Sequence, residues 1–403
     1  MLKLALRNVI RQKLRSAMIL AAIAVGVAAL ILIGGFIQDM FAQLAEATIH
    51  SQTGHLQLAL PGYFGAGSRS PERYLIPNID TVEEQIANSA DVQDVMARIR
   101  FSGLLNNGKT DLPVVGEGIE PHKEMRLGSY MMIKEGRRLQ EKDAYGILIG
   151  EGVAKSLRLH PGDRVNLLTT TADGAVNVLD FVVVGVFQSF SRDYDAHAVK
   201  IPLRAAQELL ATSGANVIVV ALYRTEETDA AAAKIHASIA RATLDVKTWY
   251  EINDFYDKAV MLYERQFGVL RLIVLVMILL SVSNILSMSI FERAGEFGTM
   301  RALGSRSRHV FQSIVLEALL LGIAGAGVGC LFGVLLALAV SAIGIPMPPA
   351  PGSNLEYVAR IHLTTGVVAG ASLVGLVGAT LASMLPAVRM SRLPIAEALR
   401  TLV

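Results

Sequence analysis

Four uninterrupted apolar runs organise the chain. Ala17–Ile37 covers 21 residues without a charge, Leu272–Phe291 covers 20, Ile314–Ile343 covers 30 with Glu317 as its only charge, and Leu363–Leu385 covers 23. About 20 apolar residues of helix cross the hydrocarbon of a bilayer, so each run predicts a transmembrane helix. The resulting division is an amphipathic helix at 1–16, a first span at 17–38, a polar insertion at 39–267, a second span at 268–291, a loop at 292–313, a third span at 314–343, a short loop at 344–362, a fourth span at 363–385 and a tail at 386–403.

The polar segments carry shorter periodicities. Lys3, Arg7, Arg11 and Arg15 recur at every fourth position while Leu2, Leu6, Val9 and Ile10 face elsewhere, which makes an amphipathic basic helix. The first span is predicted to continue as helix from Gln38 to Ile49. His55–Leu60 alternates as a strand does, and Pro61–Pro77 has the Gly, Ser and Pro content of a loop. Thr81 with Glu84 three residues on is a capping box. Val95–Leu104 and Leu112–Val115 flank Asn107-Gly108, a strong two-residue hairpin signal. From Ile147 to Leu168 the pattern is strand, helix, a Pro161-Gly162-Asp163 turn and strand. Phe181–Phe187, Val199–Pro202 and Val217–Tyr223 are further strands, with helices over Leu203–Leu210 and Asp229–Ala240. These readings make the insertion an α+β domain. The fold class is therefore an α-helical membrane protein with four spans and a large α+β extracytoplasmic domain between the first two.

Composition agrees with a membrane protein: 52% of residues are hydrophobic, 18% are charged and mean hydropathy is +0.46. A net charge of +2 over 403 residues provides no basic field for nucleic acid. The local charges are more informative. Lys3, Arg7, Arg11, Lys13 and Arg15 precede the first span. Arg293, Arg301, Arg306 and Arg308 follow the second, and Arg389, Arg392 and Arg400 follow the fourth, whereas the loop at 344–362 holds only Arg360. Positive residues mark the cytoplasmic side, so both termini and the 292–313 loop are predicted inside and the insertion outside. The single cysteine, Cys330, forms no internal disulfide.

Most chemical motifs fail on context. Gly103–Thr110 satisfies the P-loop expression, but the Asp111-Leu112-Pro113-Val114-Val115 that follows reads as a return strand and not as a helix whose N-terminus receives phosphate. The eight histidines are scattered, and neither C-x-x-C nor H-E-x-x-H occurs, so no metal site and no catalytic set is predicted. Asp193, Asp195 and His197 read as an exposed polar loop. Gly325, Gly329 and Gly333, and likewise Gly366 and Gly370, have the four-residue spacing that lets membrane helices approach closely. Asn284 is read as an interhelical hydrogen bonder. Glu317 is read as snorkelling to the interface, or pairing with a neighbour such as Arg301.

The 292–313 loop carries the most specific pattern. Glu292 and Glu296 are one helical turn apart, Arg301 comes a little over a turn later, and Gly304 is suited to a left-handed C-cap. The sequence Glu292-Arg293-x-x-Glu296-x-Gly298-x-x-Arg301-Ala302-Leu303-Gly304 resembles the cytoplasmic coupling helix of MacB/FtsX-type ABC transporter permeases, with Gly295 where that family more often has a basic residue. Leu4–Ser16 resembles the start of these permeases. Residues from Ile147 to Ala240 resemble the periplasmic core domain of MacB, FtsX and lipoprotein-releasing LolC/LolE permeases, and Thr248–Tyr263 the helix that leads into their second span. Pro386–Arg400 resembles their closing motif, with Met390 in place of the usual alanine.

The resemblance implies a permease subunit with no catalytic site and no cofactor of its own, ATP and Mg being held by a cytosolic ABC ATPase partner. It implies a homo- or heterodimer of permeases, a bacterial inner-membrane location with a periplasmic domain, and force transmission that extracts or expels a lipid-linked cargo such as a lipoprotein. It assigns ATPase coupling to Glu292, Glu296, Gly298, Arg301, Ala302, Leu303 and Gly304. Ile37, Met40 and Phe41 after the first span, with Met261, Tyr263 and Phe267 before the second, frame a candidate cargo entrance open to membrane lipid. A periplasmic carrier or adaptor is a further expected partner. The alternative is an FtsX-like mechanotransmission subunit that regulates a periplasmic partner and moves no cargo.

Overall fold

The computed structural model describes residues 7, 11–65, 71–77, 79–87, 91–127, 130–171, 173–239, 244–348, 354, 357–395 and 397. Lys3 of the basic stripe and Ala398–Arg400 of the closing motif lie outside the described residues. The chain divides into two compact units, one from residues 1–41, 259–346 and 358–403, the other from 42–258 and 347–357.

Helix α1 is Lys13–Thr48, so the predicted continuation past Ile37 is present as helix, and it closes in a π-turn at Ile49–Thr53. The second unit then runs β1 (Leu56–Ala59), α2 (Ile79–Ala87), β2 (Val92–Asn106), β3 (Asp111–Ile119), α3 (Pro121–Leu127), β4 (Met132–Gly136), β5 (Gly146–Gly150), α4 (Glu151–Leu157), β6 (Arg164–Thr170), β7 (Val176–Gln188), α5 (Arg192–Asp195), β8 (Ala198–Pro202), α6 (Leu203–Leu209), β9 (Val217–Leu222), α7 (Thr228–Ser238), β10 (Asp245–Thr248) and α8 (Trp249–Ile252). Strands β2, β3, β8, β5, β7 and β6 pair in that order and β6 returns to β2, which closes a six-stranded barrel. Closure leaves no free edge in that ring. Its interior is filled by Phe101, Ile147, Ile149, Val165, Phe181, Val183 and Val199. Gly116 of β3 is required there, because a Cβ would lie 2.0 Å from the Phe101 ring.

The 15-residue β2 belongs to two sheets. Its first half, up to Arg98, pairs with β9, and β9, β1 and β10 extend an antiparallel sheet outward, while its second half enters the barrel. At this changeover four ionic side chains are buried together. Arg98 is 3.4 Å from Glu117 and 2.9 Å from Glu124, and Lys200 is 3.4 Å from Glu117 and bonded to Glu124. Arg98 also donates to the Gln52 carbonyl in the π-turn at 2.7 Å. Two buried cations face two buried carboxylates, and the partly exposed Arg100 reaches Glu117 as well, at 3.3 Å. Burial alone pushes the Glu117 carboxyl up, but Arg98, Lys200 and Arg100 together draw it down to about 2.

Several local readings shift. α2 begins at Ile79, two residues before Thr81. The hairpin between β2 and β3 turns through the four residues 107–110, with Gly108 at φ +85, because Asn107 Oδ1 accepts from the Lys109 and Thr110 amides and Asn106 Oδ1 from Gly108. The amides a P-loop directs at phosphate are thus already bonded to side chains, and the stretch is a hairpin tip. Asp195 is not in an exposed loop. It is buried, accepts from the Ser189 amide at 2.9 Å and holds Asn354 Nδ2 at 2.7 Å. The segment 248–263 is broken at Asn253, where α8, started by a Thr248/Glu251 capping box, gives way to the next helix.

After α8 the chain continues as α9 (Asp254–Glu292), α10 (Ala294–Ala302), α11 (Ser307–Ile343), a two-stranded pair β11 (Ile345–Met347) and β12 (Tyr357–Ala359), and α12 (Thr365–Arg392). Helices α1, α9, α11 and α12 are long and apolar enough to cross a membrane. Each is longer than the apolar run that predicted it. α12 continues through Pro386 to Arg392, so the tail begins as helix. Gly325, Gly329 and Gly333 of α11 lie against Ile23, Ala24 and Ala28 of α1, and an added Cβ at Gly329 would stand 2.8 Å from the Ala24 Cα. Gly366 and Gly370 face open space; the close approaches of α12 are at Gly375, against Val27, and Gly378, against Ile278. Small residues serve where another backbone is near, and spacing alone does not show which face that is.

The buried quartet gives a signed pH dependence. A carboxyl at about 2 in the folded chain and about 4.5 in the unfolded one stabilises the fold above the unfolded value, and loses that contribution as pH falls from 4.5 to 2. Thermal unfolding of the full chain in detergent should show this acid decline. Glu117→Gln should flatten it and cost on the order of 3 kcal/mol at neutral pH, because removal of one partner leaves Arg98 and Lys200 undercompensated. Unchanged stability and an unchanged acid profile would mean that the quartet contributes nothing.

Candidate functional site between the second and third apolar helices

Helix α9 ends at Glu292 because Arg293 leaves helical geometry (φ −100, ψ 12), and α10 starts at Ala294 in a new direction. The apolar side of α10 is buried: Ala294 and Phe297 join the helical core, and Gly298 is buried with them. Its end is a Schellman turn. Ser305 N–H donates to the Met300 carbonyl and Gly304 N–H to that of Arg301, both at 3.0 Å, with Gly304 at φ +97. The predicted glycine stop is therefore present, and it presents Leu303, 83% exposed, at the tip.

The charges of this loop are tied to three other helices. Glu292 pairs with Arg15 and Glu296 with Arg11, and one turn before Glu292 Ser289 Oγ donates to Gln12 Oε1 at 2.7 Å. Fourfold spacing on both partners makes an antiparallel ladder along the N-terminal turns. Arg293 is buried and binds in two directions, to Glu296 through Nε at 3.0 Å and to Glu317 of α11 through Nη1 at 3.2 Å. Its guanidinium also lies 5.2 Å from the centre of the Phe297 ring. Arg301 donates to the Leu393 carbonyl just beyond α12. Burial raises the Glu296 carboxyl, and the bonds from Arg11 and Arg293 outweigh it, holding the group below the usual carboxylate range.

Of the seven residues assigned to coupling, Glu292, Glu296 and Arg301 make side-chain bonds within the chain, and Gly304 closes the turn through its backbone. Glu317 neither snorkels nor meets Arg301. Its partner is Arg293, which the break after Glu292 turns inward. Asn284 is exposed on α9 and makes no side-chain hydrogen bond among the described residues; Ser289 makes the interhelical one. Sequence reasoning missed Arg11, Arg15 and Arg293 as parts of this site. The matching period of four in Arg11/Arg15 and Glu292/Glu296 was the available signal.

The six residues of the candidate cargo entrance are split. Phe41 meets Tyr263 edge-on at 5.9 Å and is buried, and Phe267 is buried beneath the Arg271 guanidinium at 4.2 Å from the ring centre. Ile37 and Met40 are half-buried, and Met261 is exposed. No group of three His, Cys, Asp or Glu able to hold a metal occurs among the described residues.

Residues 16–238 match the MacB-like periplasmic core domain, and residues 268–395 match the FtsX-like permease C-terminal family. The chain is similar to an uncharacterized ABC transporter permease of Methanocaldococcus jannaschii, 25% identical over 236 residues, 56% of this chain and 56% of that one. It is similar to the lipoprotein-releasing system transmembrane protein LolE of Haemophilus influenzae, 21% identical over 275 residues, 64% and 63% of the two chains. These alignments span less than two thirds of either relative. The uncharacterized permease YvrN of Bacillus subtilis is 22% identical over 424 residues, 99% and 98% of the two chains. The periplasmic region of MacB from Actinobacillus actinomycetemcomitans aligns with a TM-score of 0.37 and 16% identity, over 52% of this chain and 94% of that one.

The Arg293–Glu317 pair yields a stability test. Glu317→Ala leaves the buried Arg293 guanidinium with only the partly exposed Glu296 and should cost about 3 kcal/mol, read as a fall in the thermal midpoint of the detergent-solubilised chain. The double variant Arg293→Met with Glu317→Leu removes both charges and should recover most of it. Equal losses in the single and double variants would show that the residues are not coupled.

Proposed function

From a chain that belongs to the ABC transporter permeases of the MacB/FtsX type, we propose a subunit that turns ATP hydrolysis by a separate cytosolic ATPase into motion of its α+β domain, with α10 as the docking element. Permeases of this family work with a cytosolic ATPase and are often dimeric. They generally lack catalytic sites, so ATP and Mg belong to the partner. The observation that carries the reading is α10 itself. It is a short helix between two membrane-length helices, bonded through Glu296 to Arg11 before α1, through its N-cap Arg293 to α11 and through Arg301 to the chain just beyond α12, with one leucine projecting from its tip. A push on Leu303 meets an element fastened to those neighbours, which is what force transfer requires.

The excess of Lys and Arg on the loop at 292–313 and the N-terminal turns supports an inner-membrane topology with these parts cytoplasmic and the α+β domain periplasmic. The cargo reading is a lipid-linked molecule, and its support is the likeness to the lipoprotein-releasing system transmembrane protein LolE. A second permease copy or a related permease completes the assembly in this reading, with a periplasmic carrier as recipient.

The test uses the tagged permease co-purified with its ATPase and returned to lipid. The parent should retain the ATPase and stimulate its hydrolysis. Leu303→Asp places an unpaired charge in the docked interface, a penalty of several kcal/mol, and should lose most ATPase recovery while the permease still inserts. Parental recovery and stimulation by this variant would make α10 a plain linker.

A further inference from the structure

The paired carboxylates of α9 and α10 determine what surface is left for a partner. Glu292 and Glu296 are the acidic residues of this loop, and each is ion-paired within the chain. Leu303 stands free at the Schellman turn. Just beyond it, Arg306 and Arg308 are exposed and their side chains meet no carboxylate among the described residues. Arg392, adjacent to the Leu393 carbonyl that Arg301 binds, is exposed as well. The exposed end of the loop is therefore an apolar knob with a cationic collar, although a reading by residue type sees two acids on a helix face.

Depth argues for a soluble partner over lipid. The apolar run of α11 starts at Ile314, and Ser307–Ser313 precede it as helix. Seven residues at 1.5 Å each make about 10 Å of helix, which puts the start of α11, four residues after Leu303 and flanked by Arg306 and Arg308, about two turns beyond the start of the run. A leucine held there by a fixed turn finds cover in a protein pocket.

We propose that the nucleotide-binding partner receives α10 in an apolar pocket bordered by carboxylates, and that Arg306 and Arg308 provide the charge recognition. This rests on the reading of α10 as the docking element and goes further by fixing the polarity of the groove. Like-charge contacts at an interface are costly, and rim charges act on association and on its salt dependence.

The experiment places the full permease in nanodiscs and titrates it with the ATPase that co-purifies with the parent, at low and high NaCl. Parental binding should weaken with salt. R306E/R308E should bind at least about tenfold more weakly at low salt, R306K/R308K should stay within about threefold of the parent, and size-exclusion profiles confirm that both variants are folded. Binding by R306E/R308E equal to or tighter than the parent overturns the proposal. If R306E/R308E binds normally while Leu303→Asp does not, docking by α10 stands and the acidic groove is rejected; if neither variant weakens binding, the docking reading itself fails. Nanodiscs of neutral lipid and of about one-third phosphatidylglycerol separate the remaining case, since a charge effect confined to anionic lipid assigns the collar to headgroups and rejects the proposal.

Discussion

The helical unit depends on one buried ion pair. Arg293 lies where α9 stops and α10 starts, and its guanidinium needs a carboxylate because burial without one is costly. Glu317 satisfies it from inside α11, and the same guanidinium reaches out to Glu296, which Arg11 holds from the other side. The alternating order Arg11, Glu296, Arg293, Glu317 therefore joins three helices through a short one. The outer pair is solvent-exposed and contributes little energy alone. The inner pair is destructive when only one partner is removed, so α10 keeps its orientation while Glu317 stands opposite Arg293.

The α+β unit uses the same physics at a different kind of joint. There the long strand β2 passes from an open sheet into a closed barrel, and Arg98 at the crossing is held by Glu117 and Glu124 while bonding the π-turn after α1. Hydrophobic filling accounts for the barrel interior, but it does not specify where one sheet ends and the other begins. The buried quartet does so with directional bonds, and a slip of β2 by one residue would move Arg98 to the other face of the strand.

Much of this was legible in the sequence because it is local. Apolar runs marked the four long helices, the Asn107-Gly108 signal marked the hairpin that disposes of the P-loop expression, and Gly304 marked the end of α10. What was not legible is long-range. Barrel closure depends on β6 meeting β2, and no periodicity within either strand reveals it. Glu292 and Glu296 read as neighbours on one helical face, but the break at Arg293 puts them on α9 and α10, and their partners Arg15 and Arg11 lie 277 and 285 residues away. Spacing identifies a face and leaves open what covers it, and the glycines of α11 and α12 teach the same lesson. Gly329 touches the α1 backbone, whereas Gly370 has nothing within 4 Å.

Glu292 and Glu296 are held by the permease's own N-terminal turns. A double-mutant cycle on Arg15 and Glu292 tests this most directly, since this rung has no third member. Arg15→Glu, Glu292→Arg and the exchanged pair would each be assembled with the ATPase in lipid, with hydrolysis and ATPase affinity measured together. Each single variant should weaken coupled hydrolysis, the exchange should restore it, and the interaction energy should lie within about 1 kcal/mol, as for an exposed pair. A loss from Glu292→Arg that the exchange fails to repair, with Arg15→Glu neutral, would place that carboxylate against the ATPase and contradict the account.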